Sequence, residues 1–126
     1  MSQKIMQQVI ITESGGPEKL AYEAVAIPIA QVDEVLIKVY AFGINRPDIL
    51  QRQGLYPMPK GVTPVPGLEV AGIVEAVGSD VTKFKVGDKV CGLTNGGGYA
   101  EYCVVPESQT LSIPEGVSFT QATAIP

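Results

Sequence analysis

Three polar side chains that could do chemistry lie close together in the sequence, at Asn45, Asp48 and Tyr56. An amide and a phenol both donate hydrogen bonds at neutral pH, since an unperturbed tyrosine has a pKa of about 10. Such donors stabilise a carbonyl oxygen that gains negative charge during a reaction. The same residues also have structural uses, because Asn45 and Asp48 would cap a helix and Tyr56 would pack. The residue types alone leave both interpretations open.

One short helix is expected to position these side chains. The preceding run 34–41 alternates between two sets of residues, which is typical of a half-buried strand. A helix is predicted over 46–53, with Asn45 as its N-cap, Pro47 in its first turn and Gly54 at its end. Polar residues that follow the end of a rigid strand often belong to a functional site.

A carboxylate, Glu69, falls inside a strongly apolar strand that is predicted within 67–77. If it is buried, it must be paired or protonated, and Arg46 or Arg52 are the expected partners. A structural ion pair and a functional carboxylate are both open interpretations of this residue.

The other segments predict a mainly β fold, a partly open barrel with tight turns and short helices. Four proline residues within 57–66 predict an extended, stiff loop. Ser118 and Gln121 have capping-box spacing and predict the start of a second helix. Further strands are expected at 7–12, 20–27, 89–93, 100–105 and 110–113.

The sequence contains few residues that could bind a metal ion or a phosphate. The sequence has no histidine and two cysteines, whereas a catalytic zinc takes about three protein ligands and a structural zinc about four. We therefore predict no metal site, and we expect Cys91 and Cys103 to be buried as small hydrophobic side chains. The glycines at 96–98 match neither a dinucleotide-binding pattern nor a P-loop. They predict either a turn or a close approach to a ligand.

Length and charge narrow the classes of function. A chain of 126 residues is expected to form one domain. Its net charge of −4 and its scattered basic residues argue against a nucleic-acid surface. Apolar runs are too short to span a bilayer, and the N-terminus lacks the apolar core of a signal peptide. The sequence is thus expected to belong to a cytoplasmic protein that acts on neither nucleic acid nor membrane.

The stretch 67–90 reads GLEVAGIVEAVGSDVTKFKVGDKV and resembles the signature of the medium-chain dehydrogenase/reductase family. The segments EVLIKVYAFGIN, NRPDILQRQGLYP and SFTQATAIP extend the resemblance over essentially the whole chain. Zinc alcohol dehydrogenases of this family carry Cys-His where Asn45 and Arg46 stand, and His where Leu68 stands. They also insert a four-cysteine zinc lobe, which is missing between 92 and 103. In these departures the chain resembles the zinc-independent quinone oxidoreductase branch of the family. It is similar to the GroES-like N-terminal domain of those enzymes.

This resemblance implies hydride transfer from NADPH to a quinone, without zinc. The resemblance implies that Asn45 and Tyr56 have the catalytic roles of the family's motif asparagine and tyrosine, which lie beside the nicotinamide and the quinone. Asn45, Arg46 and Pro47 would also shape the cleft around the cofactor. Asp48 would organise the loop.

Glu69 is expected to organise the same loop. The resemblance implies that residues 1–126 are the GroES-like catalytic domain of a longer enzyme, whose cofactor-binding Rossmann domain and C-terminal return segment lie outside the chain. The 126 residues alone are expected to be inactive, and the full-length enzyme is expected to be a homo-oligomer. Two alternatives are open, a reductase of enones in the same family and a GroES-like binding module without redox activity.

Overall fold

The computed structural model describes residues 4–55 and 63–125, and its largest element is a five-stranded antiparallel sheet. A separate hairpin pairs two strands near the N-terminus. The helices and strands are β1 (Ile5–Ile11), β2 (Leu20–Ala26), β3 (Glu34–Phe42), α1 (Arg46–Gln53), β4 (Glu69–Val77), β5 (Lys89–Leu93), β6 (Tyr102–Pro106), β7 (Thr110–Ser112) and α2 (Phe119–Ala122), with 3-10 turns at Pro17–Lys19 and Glu107–Gln109.

The strand order in the large sheet is β6-β3-β4-β5-β7, so β3 and β4 are flanked by a strand on each side. β-Branched residues alternate along these strands and place their side chains on one face. This face forms the main core, in which Val35, Ile37, Val70, Val90 and Val105 have no exposed surface. The mainly β fold predicted from the sequence is therefore confirmed.

The second helix covers the opposite face of the same sheet. Ala122 of α2 packs with Ala71 of β4 and Cys91 of β5 in a second buried cluster. The ring of Phe119 lies 4.7 Å from the ring of Tyr40, measured between centroids. Because both faces of the central strands are covered, the end of β3 is a rigid support for the loop that follows it.

Both cysteine thiols are free and buried, as predicted. Cys103 belongs to the main core and Cys91 to the cluster beneath α2. Burial raises the pKa of Cys103 to about 11 and also raises the pKa of Cys91. Both thiols are therefore protonated at neutral pH, which suits packing more than nucleophilic chemistry.

Candidate active site

The N-terminus of α1 is held by the pairing of a capping box between Asn45 and Asp48. The Oδ2 atom of Asp48 accepts a hydrogen bond of 3.0 Å from the backbone N–H of Asn45. The backbone N–H of Asp48 in turn donates to the backbone oxygen of Asn45, also at 3.0 Å. At the other end, Gly54 has a left-handed conformation with φ of 80°. The predicted helix and its cap are confirmed.

Asp48 is the most deeply buried charged residue of this region, with 4% of its surface exposed. Its Oδ2 atom also accepts a hydrogen bond of 2.8 Å from the hydroxyl of Tyr99. Within residues 4–55 and 63–125, its Oδ1 atom has no hydrogen-bond partner. Carboxylates are favoured at a helix N-terminus by the partial positive charge there. The helix and Tyr99 together account for the burial of this carboxylate.

Tyr99 links the helix to three other parts of the fold. Its backbone N–H donates to the oxygen of Pro66 at 3.0 Å, and its backbone oxygen accepts from Val9 of β1 at 2.8 Å. Its ring stacks on Phe42, with centroids 4.5 Å apart. Burial and the neighbouring Asp48 carboxylate raise the pKa of Tyr99 far above its ordinary value, so the hydroxyl stays a donor. Tyr99 thus fixes Asp48 from outside the helix.

The glycine-rich segment before Tyr99 forms a turn that approaches a neighbouring backbone. Gly97 and Gly98 donate to the oxygens of Val65 and Gly67, at 2.8 and 3.2 Å. A Cβ atom on Gly67, whose φ is 109°, would lie 2.6 Å from the backbone nitrogen of Tyr99. The contacts of these glycines in the structure are those of a turn, which is one of the two interpretations that the sequence left open.

Replacing Tyr99 by phenylalanine should lower the free energy of unfolding by about 1–3 kcal/mol, because the buried Asp48 carboxylate loses one of its donors. Urea denaturation of the two proteins measures the difference. Tyr22→Phe is the matched control, since Tyr22 is 82% exposed and its hydroxyl should contribute less than about 0.5 kcal/mol. Equal effects of the two substitutions would show that the Tyr99–Asp48 hydrogen bond does not stabilise the fold.

The half-buried Glu69 side chain has a partner that the sequence did not predict. Its Oε1 atom accepts a hydrogen bond of 3.0 Å from the side-chain nitrogen of Asn45. The expected pairing with an arginine is wrong, because Arg46 is exposed and Arg52 donates through Nε to the oxygen of Gly15 at 3.1 Å. Ion pairs in the described part of the chain are Lys19–Glu13 and Lys85–Asp88.

The structure brings together several of the residues predicted for the site. Asn45, Asp48 and Glu69 form one hydrogen-bonded group, and Arg46 and Pro47 occupy the first turn of α1 beside it. Tyr56 lies outside the described residues, as does 57–62 of the predicted stiff loop. Tyr99 was missed by the sequence analysis, and its only local signal is an aromatic residue after three glycines.

The amide of Asn45 is the group in this cluster that is best placed for chemistry. An asparagine side chain carries two N–H donors on its nitrogen. Glu69 uses one of them, and the other has no recorded partner among residues 4–55 and 63–125. The residue is partly exposed. The site therefore offers a fixed hydrogen-bond donor at the end of β3.

A small apolar cavity of about 220 Å³ adjoins this cluster. It is lined by Leu20, Ile44, Asp48, Ile49, Arg52, Pro66 and Tyr99.

Across the described ranges, no three Cys, Asp or Glu side chains are grouped as metal ligands would be. No helix among the described residues is long and apolar enough to cross a membrane.

Comparison with known proteins agrees with this architecture. Residues 31–115 match the family model described as the alcohol dehydrogenase GroES-like domain. A quinone oxidoreductase of Sus scrofa is 44% identical over 125 residues, which cover 98% of this chain and 38% of the relative. The chain therefore spans well under half of the length of that protein.

Two solved structures resemble the chain closely. The Escherichia coli quinone oxidoreductase complexed with NADPH has a TM-score of 0.81 at 31% identity, covering 94% of this chain and 36% of that one. The CurK enoyl reductase has a TM-score of 0.86 at 28% identity, covering 97% and 39%. The expected GroES-like fold is confirmed, and the chain belongs to the medium-chain dehydrogenase/reductase family, where it corresponds to the N-terminal domain of quinone oxidoreductases.

Proposed function

We propose that the full-length protein reduces quinones with NADPH and that this chain is its catalytic domain. The observation that carries the proposal is the Asn45 amide, which donates to Glu69 at the start of the capped helix and whose second N–H has no partner among residues 4–55 and 63–125. The similarity to a quinone oxidoreductase, of which this chain covers 38%, supports the same reaction. The family likeness also supports a homo-oligomer in the cytoplasm, with NADPH bound mainly by a separate domain.

Reduction of a quinone requires one hydride and one proton, and it places negative charge on a carbonyl oxygen before the proton arrives. When bound, NADPH supplies the hydride. The spare N–H of Asn45 and the hydroxyl of Tyr56 would donate to the charged oxygen, and water would supply the proton. Preorganised donors of this kind lower the barrier without a metal ion. The protein's task is to orient these donors.

The residues at the start of α1 fit a cofactor on the exposed side of Asn45. Arg46 is exposed, Pro47 fixes the backbone of the first turn, and Asn45 is partly exposed beside them. We assign cofactor contacts to these three residues, and loop-organising roles to Asp48 and Glu69. A chain of residues 1–126 without the cofactor domain would be inactive.

A second candidate function is the reduction of an enone, which the likeness to an enoyl reductase favours. Hydride addition to an enone also places negative charge on a carbonyl oxygen, so Asn45 and Tyr56 would serve equally well. The two functions differ only in the acceptor that the cleft admits.

The full-length protein should oxidise NADPH in the presence of 1,4-benzoquinone faster than in the presence of a simple enal such as crotonaldehyde. Absorbance of NADPH measures both reactions in the same buffer, and a chelator should leave the quinone rate unchanged. Turnover of the enal alone would replace the first function by the second. Turnover of neither acceptor would contradict both.

A further inference from the structure

We infer that Glu69 is a positioning residue that fixes the direction of the Asn45 amide, and that the absence of a side chain at Gly43 makes this contact possible. The inference rests on the proposed role of Asn45 as a hydrogen-bond donor to the substrate. It adds Glu69 of β4 and Gly43, which directly follows β3, to the residues that serve that reaction.

Glu69 lies in the space that a side chain at residue 43 would fill. A Cβ atom on Gly43 would lie 2.0 Å from Oε1 of Glu69, 2.8 Å from its Cδ and 2.9 Å from its Cγ. The backbones also join here, since the N–H of Gly43 donates to the oxygen of Glu69 at 3.2 Å. The carboxylate therefore reaches Asn45 by crossing directly over the glycine.

The chemistry of the two partners determines which way the Asn45 amide points. An ionised carboxylate accepts hydrogen bonds and cannot donate them, so Glu69 selects the nitrogen end of the amide. The backbone N–H of Asp48 donates to the backbone oxygen of Asn45, but the Asn45 side chain still lies at the partially positive N-terminus of α1, which favours the oxygen end of the amide. A reversed amide would place its oxygen against the Glu69 carboxylate, which has no proton to donate and would repel it.

This arrangement fixes the nitrogen end of the Asn45 amide as a donor. One N–H of this nitrogen bonds to Glu69, and the other, which has no partner among residues 4–55 and 63–125, is left for the substrate. Without Glu69 only the helix would orient the amide, and its nitrogen would be free to rotate away. The expected consequence is a weaker stabilisation of the charged oxygen, which lowers kcat more than it raises KM.

A double-mutant cycle in the full-length enzyme tests the inference. Gly43→Ala and Glu69→Ala should each lower kcat for quinone reduction by about 10- to 100-fold, by analogy with residues that orient the ligands of a catalytic metal ion. Because the alanine acts only by displacing the carboxylate, the double variant should be no slower than either single variant. Glu69→Gln keeps an acceptor oxygen and should restore much of the rate. Glu75→Ala, exposed on the same strand, should have no effect.

The side-chain amide signals of Asn45 in a nitrogen–proton NMR spectrum give a readout that does not depend on turnover. They should shift in Gly43→Ala and in Glu69→Ala, and stay in place in Glu75→Ala. If the rate losses of the two single variants multiplied in the double variant, the inference would be overturned. Unchanged Asn45 signals in Glu69→Ala would also overturn it. If the wild-type enzyme reduces no quinone, the proposed function fails, while the NMR comparison still decides whether Glu69 orients Asn45.

Discussion

Replacing Gly72 by alanine is expected to lower the free energy of unfolding by about 3 kcal/mol or more, the upper range for forcing atoms into a packed core. Gly72 lies in β4 opposite Val39 of β3. An added Cβ would lie 1.9 Å from the backbone oxygen of Lys38 and 2.9 Å from Cγ2 of Ile37. A backbone oxygen cannot move aside as a flexible side chain does, so the two central strands would have to separate. Urea denaturation monitored by circular dichroism measures the loss.

Gly16→Ala is the matched control for this substitution. Gly16 has an ordinary φ of −78°, and its added Cβ would meet only the exposed carboxylate of Glu18, at 2.5 Å. That side chain can rotate away, so the change should be within about 0.5 kcal/mol. If Gly72→Ala were as mild as Gly16→Ala, the tight packing of β3 on β4 would be refuted.

Replacing Asn45 by serine is expected to lower kcat for quinone reduction by about 10²–10³-fold, as for the loss of one preorganised oxyanion donor. Serine is as good an N-cap as asparagine, so α1 should keep its start and the protein its stability. The shorter hydroxyl cannot bond to Glu69 and reach the substrate at once. Steady-state kinetics of the full-length protein, with NADPH saturating, measure the change.

Gln53→Ser provides the control for the loss of an amide from the same helix. Gln53 is the last residue of α1 and is exposed, so its replacement should leave kcat unchanged. An Asn45→Ser protein that keeps full activity would assign Asn45 a capping role alone, which is the structural interpretation left open by the sequence.

Local sequence signals predicted well the helix and the strands that position the site. The bounds of α1 and β5 are as expected, because a cap, a proline in the first turn and a closing glycine act within a few residues of one another. The expected strand at 100–105 starts later, at Tyr102, since Ala100 instead forms an isolated bridge with Gln8 of β1.

Contacts between distant positions could not be predicted from the same signals. Tyr99 and Asp48 are 51 residues apart, and Asn45 and Glu69 are 24 apart. Charge alone suggested an arginine for Glu69, whereas the end of β3 places a neutral amide and an open glycine beside it. Register and backbone proximity, which no short motif encodes, decide such pairs. The catalytic role of Tyr56 stays a prediction.

The most direct test of the account is a single-turnover measurement of hydride transfer to 1,4-benzoquinone, using NADPH and NADPH deuterated at the transferred position. We expect the full-length wild-type protein to show an isotope effect, and the Asn45→Ser protein to transfer hydride about 10²–10³-fold more slowly with its fold intact. Equal transfer rates in the two proteins would contradict the central claim that the fixed Asn45 amide stabilises the reacting quinone.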